Sequence, residues 1–173
     1  EQNHKSSGNT GEDKLGFDGL AQSASGNMHM SGTAETPTRS FVPYVDYGTA
    51  SLSAFGTMAA LRHREQTGEG QIVEGALLRT ALTFNGGALL EQDLLKSDRV
   101  ASLNRNQTAG PVDTVRTKDG WITCSVIGPA QFKRWAELVG APELVDDPRF
   151  KDDLSRGDHG ELLSARTAEW CAS

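Results

Sequence analysis

The sequence predicts a mixed α/β protein, and three observations carry that prediction. Apolar residues recur at helical spacing through residues 49–65 and again through 76–96. Asp119-Gly120 sits between two alternating segments, 112–116 and 121–126, which is the turn chemistry of a β-hairpin. Two further helical stretches follow, one opened by Pro129 and running to about residue 139, the other at 160–171.

Taken in order, residues 1–16 are rich in Gly, Asn, Ser, Lys and Glu and read as a loop or a frayed end. They contain no apolar stretch of the kind a signal peptide carries. Residues 17–25 form a short helix, and Gly26, Gly32 and Pro37 punctuate the loop after it. Residues 40–45, S-F-V-P-Y-V, are strand formers that Pro43 restricts to an edge or a bent approach. Asp46-Tyr47-Gly48 reads as a turn. In the helix at 49–65, Leu52, Phe55 and Ala59 fall at i, i+3 and i+7, with Met58 and Leu61 beside them. Thr49 or Ser51 can cap its start and Gly68 can close it. Its many small residues, among them Ala50, Ser53, Ala54 and Gly56, predict packing on more than one side.

Residues 70–74 read as a short strand. The helix expected at 76–96 is weakened in its middle by Gly86-Gly87, at about 1 kcal/mol per glycine relative to alanine. Residues 97–111 are a polar loop. Phe132, Trp135 and Leu138 share one face of the helix that Pro129 opens and Gly140 ends. Residues 141–153, with Pro142 and Pro148, read as a loop or a single turn. The last helix offers Leu162, Leu163, Ala165 and Trp170 for burial. The chain stops inside that helix, so both ends read as those of a piece of a longer protein.

A net charge of −6 without a basic stripe argues against nucleic-acid binding. No run approaches the ~18 apolar residues of a membrane span. Cys124 and Cys171 show no metal-ligand or redox spacing and read as ordinary reduced thiols, which makes the cytoplasm the default compartment.

Asp46 is the candidate for chemistry. An aspartate between a strand and a helix is most often an N-cap. The same place suits a reactive carboxylate, because helix N–H groups favour negative charge and can stabilise an oxyanion on an attacked carbonyl. Gly48 would let a bulky thioester approach the backbone.

Gly16-Phe17-Asp18-Gly19-Leu20-Ala21-Gln22-Ser23-Ala24-Ser25-Gly26 resembles a segment of the family III CoA-transferases, the formyl-CoA transferase and CaiB/BaiF group. Asp46, the small-residue helix ending Leu61-Arg62-His63-Arg64, and Thr67-Gly68-Glu69-Gly70-Gln71-Ile72-Val73-Glu74 follow in that family's order. Thr117-Lys118-Asp119-Gly120-Trp121 and Asp147-Pro148-Arg149-Phe150 continue it.

The resemblance implies that residues 1–96 are the C-terminal part of a Rossmann-like large domain. Residues 97–173 are then a small α+β domain, truncated at its end. It implies an acyl-CoA:carboxylate CoA-transferase in which Asp46 carries CoA as an aspartyl thioester. Coenzyme A or acyl-CoA is then a substrate, with no permanently bound cofactor, and a carboxylic acid is the acceptor. The full-length protein is expected to be an interlocked homodimer. Tyr47, Gly48 and Gln22 are candidate CoA contacts. Asn106 and Gln107 are candidate substrate contacts, against the plainer reading of an ordinary polar loop. Their segment, Asn104 to Gly110, lacks the glycine run that shields intermediates in formyl-CoA transferases. Racemases of the same family place a histidine where Phe17 stands, and Phe17 cannot move a proton; His29 and His63 read as surface residues. A racemase-like enzyme, or a chain that only folds or associates, are the alternatives.

Overall fold

A computed structural model describes residues 16–173, so the loop expected at 1–16 lies, up to residue 15, outside the described residues. The chain is mixed α/β and divides into two compact units, Glu1–Ala101 and Ser102–Ser173.

The described part of the first unit is helical. It runs α1 (Asp18–Ala24), α2 (Asn27–Met30), α3 (Tyr44–Thr67), α4 (Leu77–Phe84) and α5 (Gly86–Leu95). Its core is small: Ala21 of α1, Val45 of α3 and Ala81 of α4, with Tyr44 and Leu77 packed against them. The strand expected at 40–45 and the turn expected at 46–48 are both replaced. Residues 41–43 bend, and the helix begins at Tyr44, so Asp46-Tyr47-Gly48 lie in its first turns. Pro43 occupies the N-cap, where its fixed φ is −77° and it has no side-chain group to offer. Neither Thr49 nor Ser51 caps the helix. Thr49 Oγ1 bonds back to the Val45 carbonyl at 2.8 Å and Ser51 Oγ to that of Tyr47 at 2.9 Å. Gly68 does close it, with φ +80° and its N–H on the Arg64 carbonyl at 2.8 Å.

Packing of α3 on more than one side is not what the described residues show. Val45 is its one buried residue, and Leu52, Phe55, Met58 and Leu61 are exposed. The small residues serve local approaches instead. A Cβ on Gly56 would meet Val73 Cγ1 at 2.8 Å, and one on Gly75 would meet Ser53 Oγ at 2.4 Å, so the 70–75 segment lies against α3. That segment has no β-ladder, contrary to the expected strand, because it lies on a helix rather than beside a second strand.

The helix expected at 76–96 breaks in two. Asn85 is the last residue of one turn and the first of the next: its N–H closes α4 on Ala81, and its carbonyl accepts from Leu89 in α5. Its side-chain amide donates to the Ser25 carbonyl at 3.0 Å, which rewards the break. The adjoining glycines weaken the helix there.

In the second unit, β1 (Val112–Arg116) and β2 (Trp121–Ser125) pair antiparallel, from Val112↔Ser125 to Arg116↔Trp121. The turn is fixed by Thr117 N–H on the Gly120 carbonyl at 2.9 Å and by Thr117 Oγ1 accepting from Gly120 N–H at 3.0 Å. Helix α6 (Pro129–Leu138) buries Phe132, Trp135 and Ala136, whereas Leu138 turns out to solvent. Two short 3-10 turns, Pro142–Val145 and Pro148–Phe150, precede α7 (Asp153–Asp158) and α8 (Gly160–Ala172). The core joins Val126, Phe132, Trp135, Val139, Phe150 and Leu163. Leu162 and Trp170, expected inside, are exposed.

Helix α7 was hidden because its inward residue is charged. Arg156 is buried, donates to the Phe150 carbonyl at 3.0 Å, pairs with Asp153 and lies 4.6 Å from the centre of the Phe132 ring.

Candidate active site

Asp46 is the third residue of α3. Its side chain is exposed and has no hydrogen-bond or ion-pair partner among the described residues. Its main chain is held firmly. Val45 N–H and Asp46 N–H both donate to Asp18 Oδ2, at 2.8 and 3.2 Å. The other oxygen, Asp18 Oδ1, accepts from Gln22 Nε2 at 2.5 Å. Gln22 Oε1 in turn accepts from Ser40 N–H at 2.9 Å. Asp18 and Gln22 are both buried.

This arrangement separates two aspartates that look alike in the sequence. Asp18 accepts at both oxygens inside the protein and has none left for a substrate. Asp46 offers both oxygens outward.

The N–H groups expected to serve an oxyanion are already used. Those of Val45 and Asp46 go to Asp18, that of Tyr44 to the Val42 carbonyl at 2.8 Å, and that of Tyr47 to the Pro43 carbonyl at 3.2 Å. The first turn of α3 therefore supplies no free main-chain donor to an attacked carbonyl. The expectation placed these amides at an open turn; inside a capped helix they have partners.

The other candidate residues divide by place. Tyr47 is exposed next to Asp46. Gly48 faces inward, where a Cβ would lie 2.5 Å from Phe84 Cε2 and 3.2 Å from Thr80 Cγ2, so its missing side chain lets α3 and α4 close together. Gln22 has its amide committed to Asp18 and Ser40. Asn106 and Gln107 belong to the second unit. Asn106 Oδ1 accepts from Thr108 N–H at 2.7 Å, Thr108 Oγ1 at 2.9 Å and Ala109 N–H at 3.0 Å, which shapes its own loop. Gln107 Nε2 donates to Ser102 Oγ at 2.9 Å.

Asp18 is the residue that motif reading passed over, although the Asp-x-x-x-Gln spacing was visible and puts both groups on one helix face.

Other notable groups lie apart from Asp46. A cavity of about 420 Å³ borders α2, α5 and residues 97–100, lined by His29, Met30, Leu89 and Arg99 among others, and does not reach Asp46. Its Arg99 pairs with Glu91 at 2.7 Å, and that hydrogen bond holds the Glu91 carboxyl below its usual range. Burial, with Cys171 and Asp113 nearby, pushes the Cys124 thiol up, away from thiolate reactivity. Among the described residues no His, Cys, Asp and Glu cluster is suited to a metal ion, and no helix is long and apolar enough to cross a membrane.

Residues 4–173 match the sequence pattern of CoA-transferase family III, and the chain belongs to that family. Among relatives, it is 30% identical over 167 residues to the succinyl-CoA–D-citramalate CoA-transferase of Chloroflexus aurantiacus, covering 94% of this chain and 42% of that protein. It is 29% identical over 158 residues to the succinyl-CoA:mesaconate CoA-transferase of Haloarcula hispanica, covering 91% and 39%. The crystal structure of the Rv3272 protein of Mycobacterium tuberculosis superposes with a TM-score of 0.73 at 26% identity, over 92% of this chain and 41% of that one. A CaiB/BaiF family structure from Brucella suis shares the fold, with a TM-score of 0.68. The chain thus spans about two fifths of the length of the curated relatives it matches.

Proposed function

We propose that this chain carries the nucleophile of an acyl-CoA:carboxylate CoA-transferase, and that the nucleophile is Asp46. The observation that carries the proposal is an exposed carboxylate without a partner, on a helix turn whose main chain is locked by a buried one.

An Asp46 oxygen attacks the thioester carbon of a donor acyl-CoA. The C–S bond breaks, CoA leaves as thiolate and a mixed anhydride remains. The thiolate then attacks the aspartyl carbonyl carbon, the anhydride C–O bond breaks, and the donor acid leaves as carboxylate. Asp46 now carries CoA as a thioester. An acceptor carboxylate attacks that thioester and the thiolate leaves once more. The thiolate attacks the acceptor carbonyl of the new anhydride, releasing acceptor-CoA and the free Asp46 carboxylate. No proton is consumed, so no general acid is required, and the thioester's free energy is kept throughout. Phe17 supports this reading over racemisation, since a phenyl ring moves no proton.

Residues 1–96 are assigned to the large domain and 97–173 to the small one, in a full-length protein that is a cytoplasmic homodimer. The exposure of Tyr47 beside Asp46 supports reading it as a contact for the acyl-CoA. The names of the relatives direct the first test to succinyl-CoA as donor. The full-length protein, incubated with succinyl-CoA and then hydroxylamine, is expected to carry a hydroxamate at Asp46 in its peptide map. Asp46→Asn is expected to lose the label and at least about 10³-fold in kcat, roughly 4 kcal/mol of barrier. Labelling at another residue, or none in folded protein, rejects Asp46.

A further inference from the structure

The reactive turn is capped from a distance. In a helix start, the N–H groups of the second and third residues are those an N-cap side chain normally accepts. Here they belong to Val45 and Asp46, and the N-cap is Pro43, which has no acceptor in its side chain. Asp18, on α1, supplies the missing acceptor through a single oxygen. Its rotamer is fixed by Gln22, and Gln22 holds Ser40 N–H with its remaining oxygen. The buried Asp18–Gln22 pair therefore clamps both ends of the Phe41–Pro43 segment, exposed at Phe41 and Val42, that leads into the helix. Asp46 sits at the end of this clamp, its main-chain N–H tied to Asp18 and its side chain exposed.

We infer that Asp18 is a positioning residue for CoA transfer, holding the nucleophile through its own main-chain N–H, with Gln22 as the group that orients it. The inference rests on the reading of Asp46 as the nucleophile. A bond between the positioning carboxylate and the nucleophile's amide leaves little slack between the attacking oxygen and a bound thioester. A displacement of about 1 Å at such a site costs on the order of 10²-fold in rate.

The hydrogen-bond pattern supplies its own control. In Asp18→Asn, one acceptor oxygen becomes a donor. Turned toward α3 it faces two N–H groups, and turned toward Gln22 it faces a third. In the double variant Asp18→Asn with Gln22→Glu the pattern closes again. The introduced amide oxygen accepts from Val45 and Asp46, its nitrogen donates to the introduced carboxylate, and that carboxylate keeps the Ser40 N–H. The double exchange also preserves the pair's composition of one carboxyl and one amide.

The experiment is succinyl-CoA labelling of the full-length protein with a hydroxylamine chase, read as rate and as labelled fraction. Asp18→Asn is expected to label Asp46 about 10- to 100-fold more slowly, with the half-saturating succinyl-CoA concentration unchanged. The double variant is expected to recover most of the rate. A wild-type rate in Asp18→Asn overturns the inference while leaving Asp46 as nucleophile. So does a smaller labelled fraction at wild-type rate, which marks a merely structural loss, and so does a double variant as slow as the single one. Absence of label on the wild type overturns the nucleophile reading and the inference with it.

Discussion

At the residue scale, two glycines show that the same missing methyl group has unequal consequences. A Cβ on Gly48 would lie 2.5 and 2.6 Å from Phe84 Cε2 and Cζ, the outer edge of a ring that is half exposed. A Cβ on Gly157 would lie 2.5 Å from the Gln107 carbonyl oxygen and 2.7 Å from Thr108 N, which are main chain. A ring can swing away, whereas a loop's backbone must be rebuilt. Gly48→Ala is therefore expected to cost about 1 kcal/mol and Gly157→Ala about 3 kcal/mol in urea unfolding monitored for each unit. Equal costs would show that the Gln107 loop yields as easily as the ring. That Asp46 lies near a helix start was legible in its neighbours, although it sits inside the first turn and not in a turn ahead of it. Its partner Asp18 was not, because a cap delivered from 28 residues upstream leaves no mark at the helix it caps. The oxyanion reading failed for the same reason, since whether an amide is free depends on an acceptor elsewhere in the chain.

At the element scale, helix α7 depends on charge. Asp152 accepts from Ser155 N–H at 2.8 Å as its N-cap, while Asp153 takes Arg156 and the Gly128 N–H at 2.9 Å. The hydrogen bond from Arg156, then that from Gly128, lowers the Asp153 carboxyl below its ordinary 3.8. A carboxylate with a lowered native value stabilises the fold above the unfolded-state value. That contribution disappears as the pH falls through the native value. Unfolding free energy of the second unit is therefore expected to fall on acidification below about pH 4, and to fall less steeply in Asp153→Asn. Urea titrations from pH 7 down to pH 3 check this, and parallel slopes would remove Asp153 from the account. The hairpin and α6 were legible because Asp119-Gly120, Pro129 and the Phe132 and Trp135 spacing are local signals. Helix α7 was not, since its buried face is an arginine stem beneath an aromatic ring rather than an apolar side chain.

At the scale of the whole molecule, the two units have unequal cores. The second encloses Phe132, Trp135, Phe150 and Leu163 in a single cluster. The first relies on Ala21, Val45 and Ala81, and leaves Phe41, Phe55 and Ile72 in solvent. Residues 102–173 are expected to fold alone with a cooperative melt, and Phe132→Ala, at about 3–5 kcal/mol, to abolish it. A non-cooperative melt of the unsubstituted fragment would show that its core needs the rest of the chain. The helical periods of α3 and α4 were visible in the sequence, yet the burial of α3 was misread. Small residues permit close approach without stating where it happens, and here they admit the 70–75 segment at two points. The remote cap on α3 has a consequence of another kind. The sequence around residue 46 does not by itself hold the main chain there, since the acceptor that fixes it arrives only when α1 docks. On the proposal that Asp46 is the nucleophile, a nascent, nicked or heat-damaged chain carries the same carboxylate without the clamp and is expected to react with thioesters more slowly than the folded one. Self-acylation would then favour molecules that have finished folding.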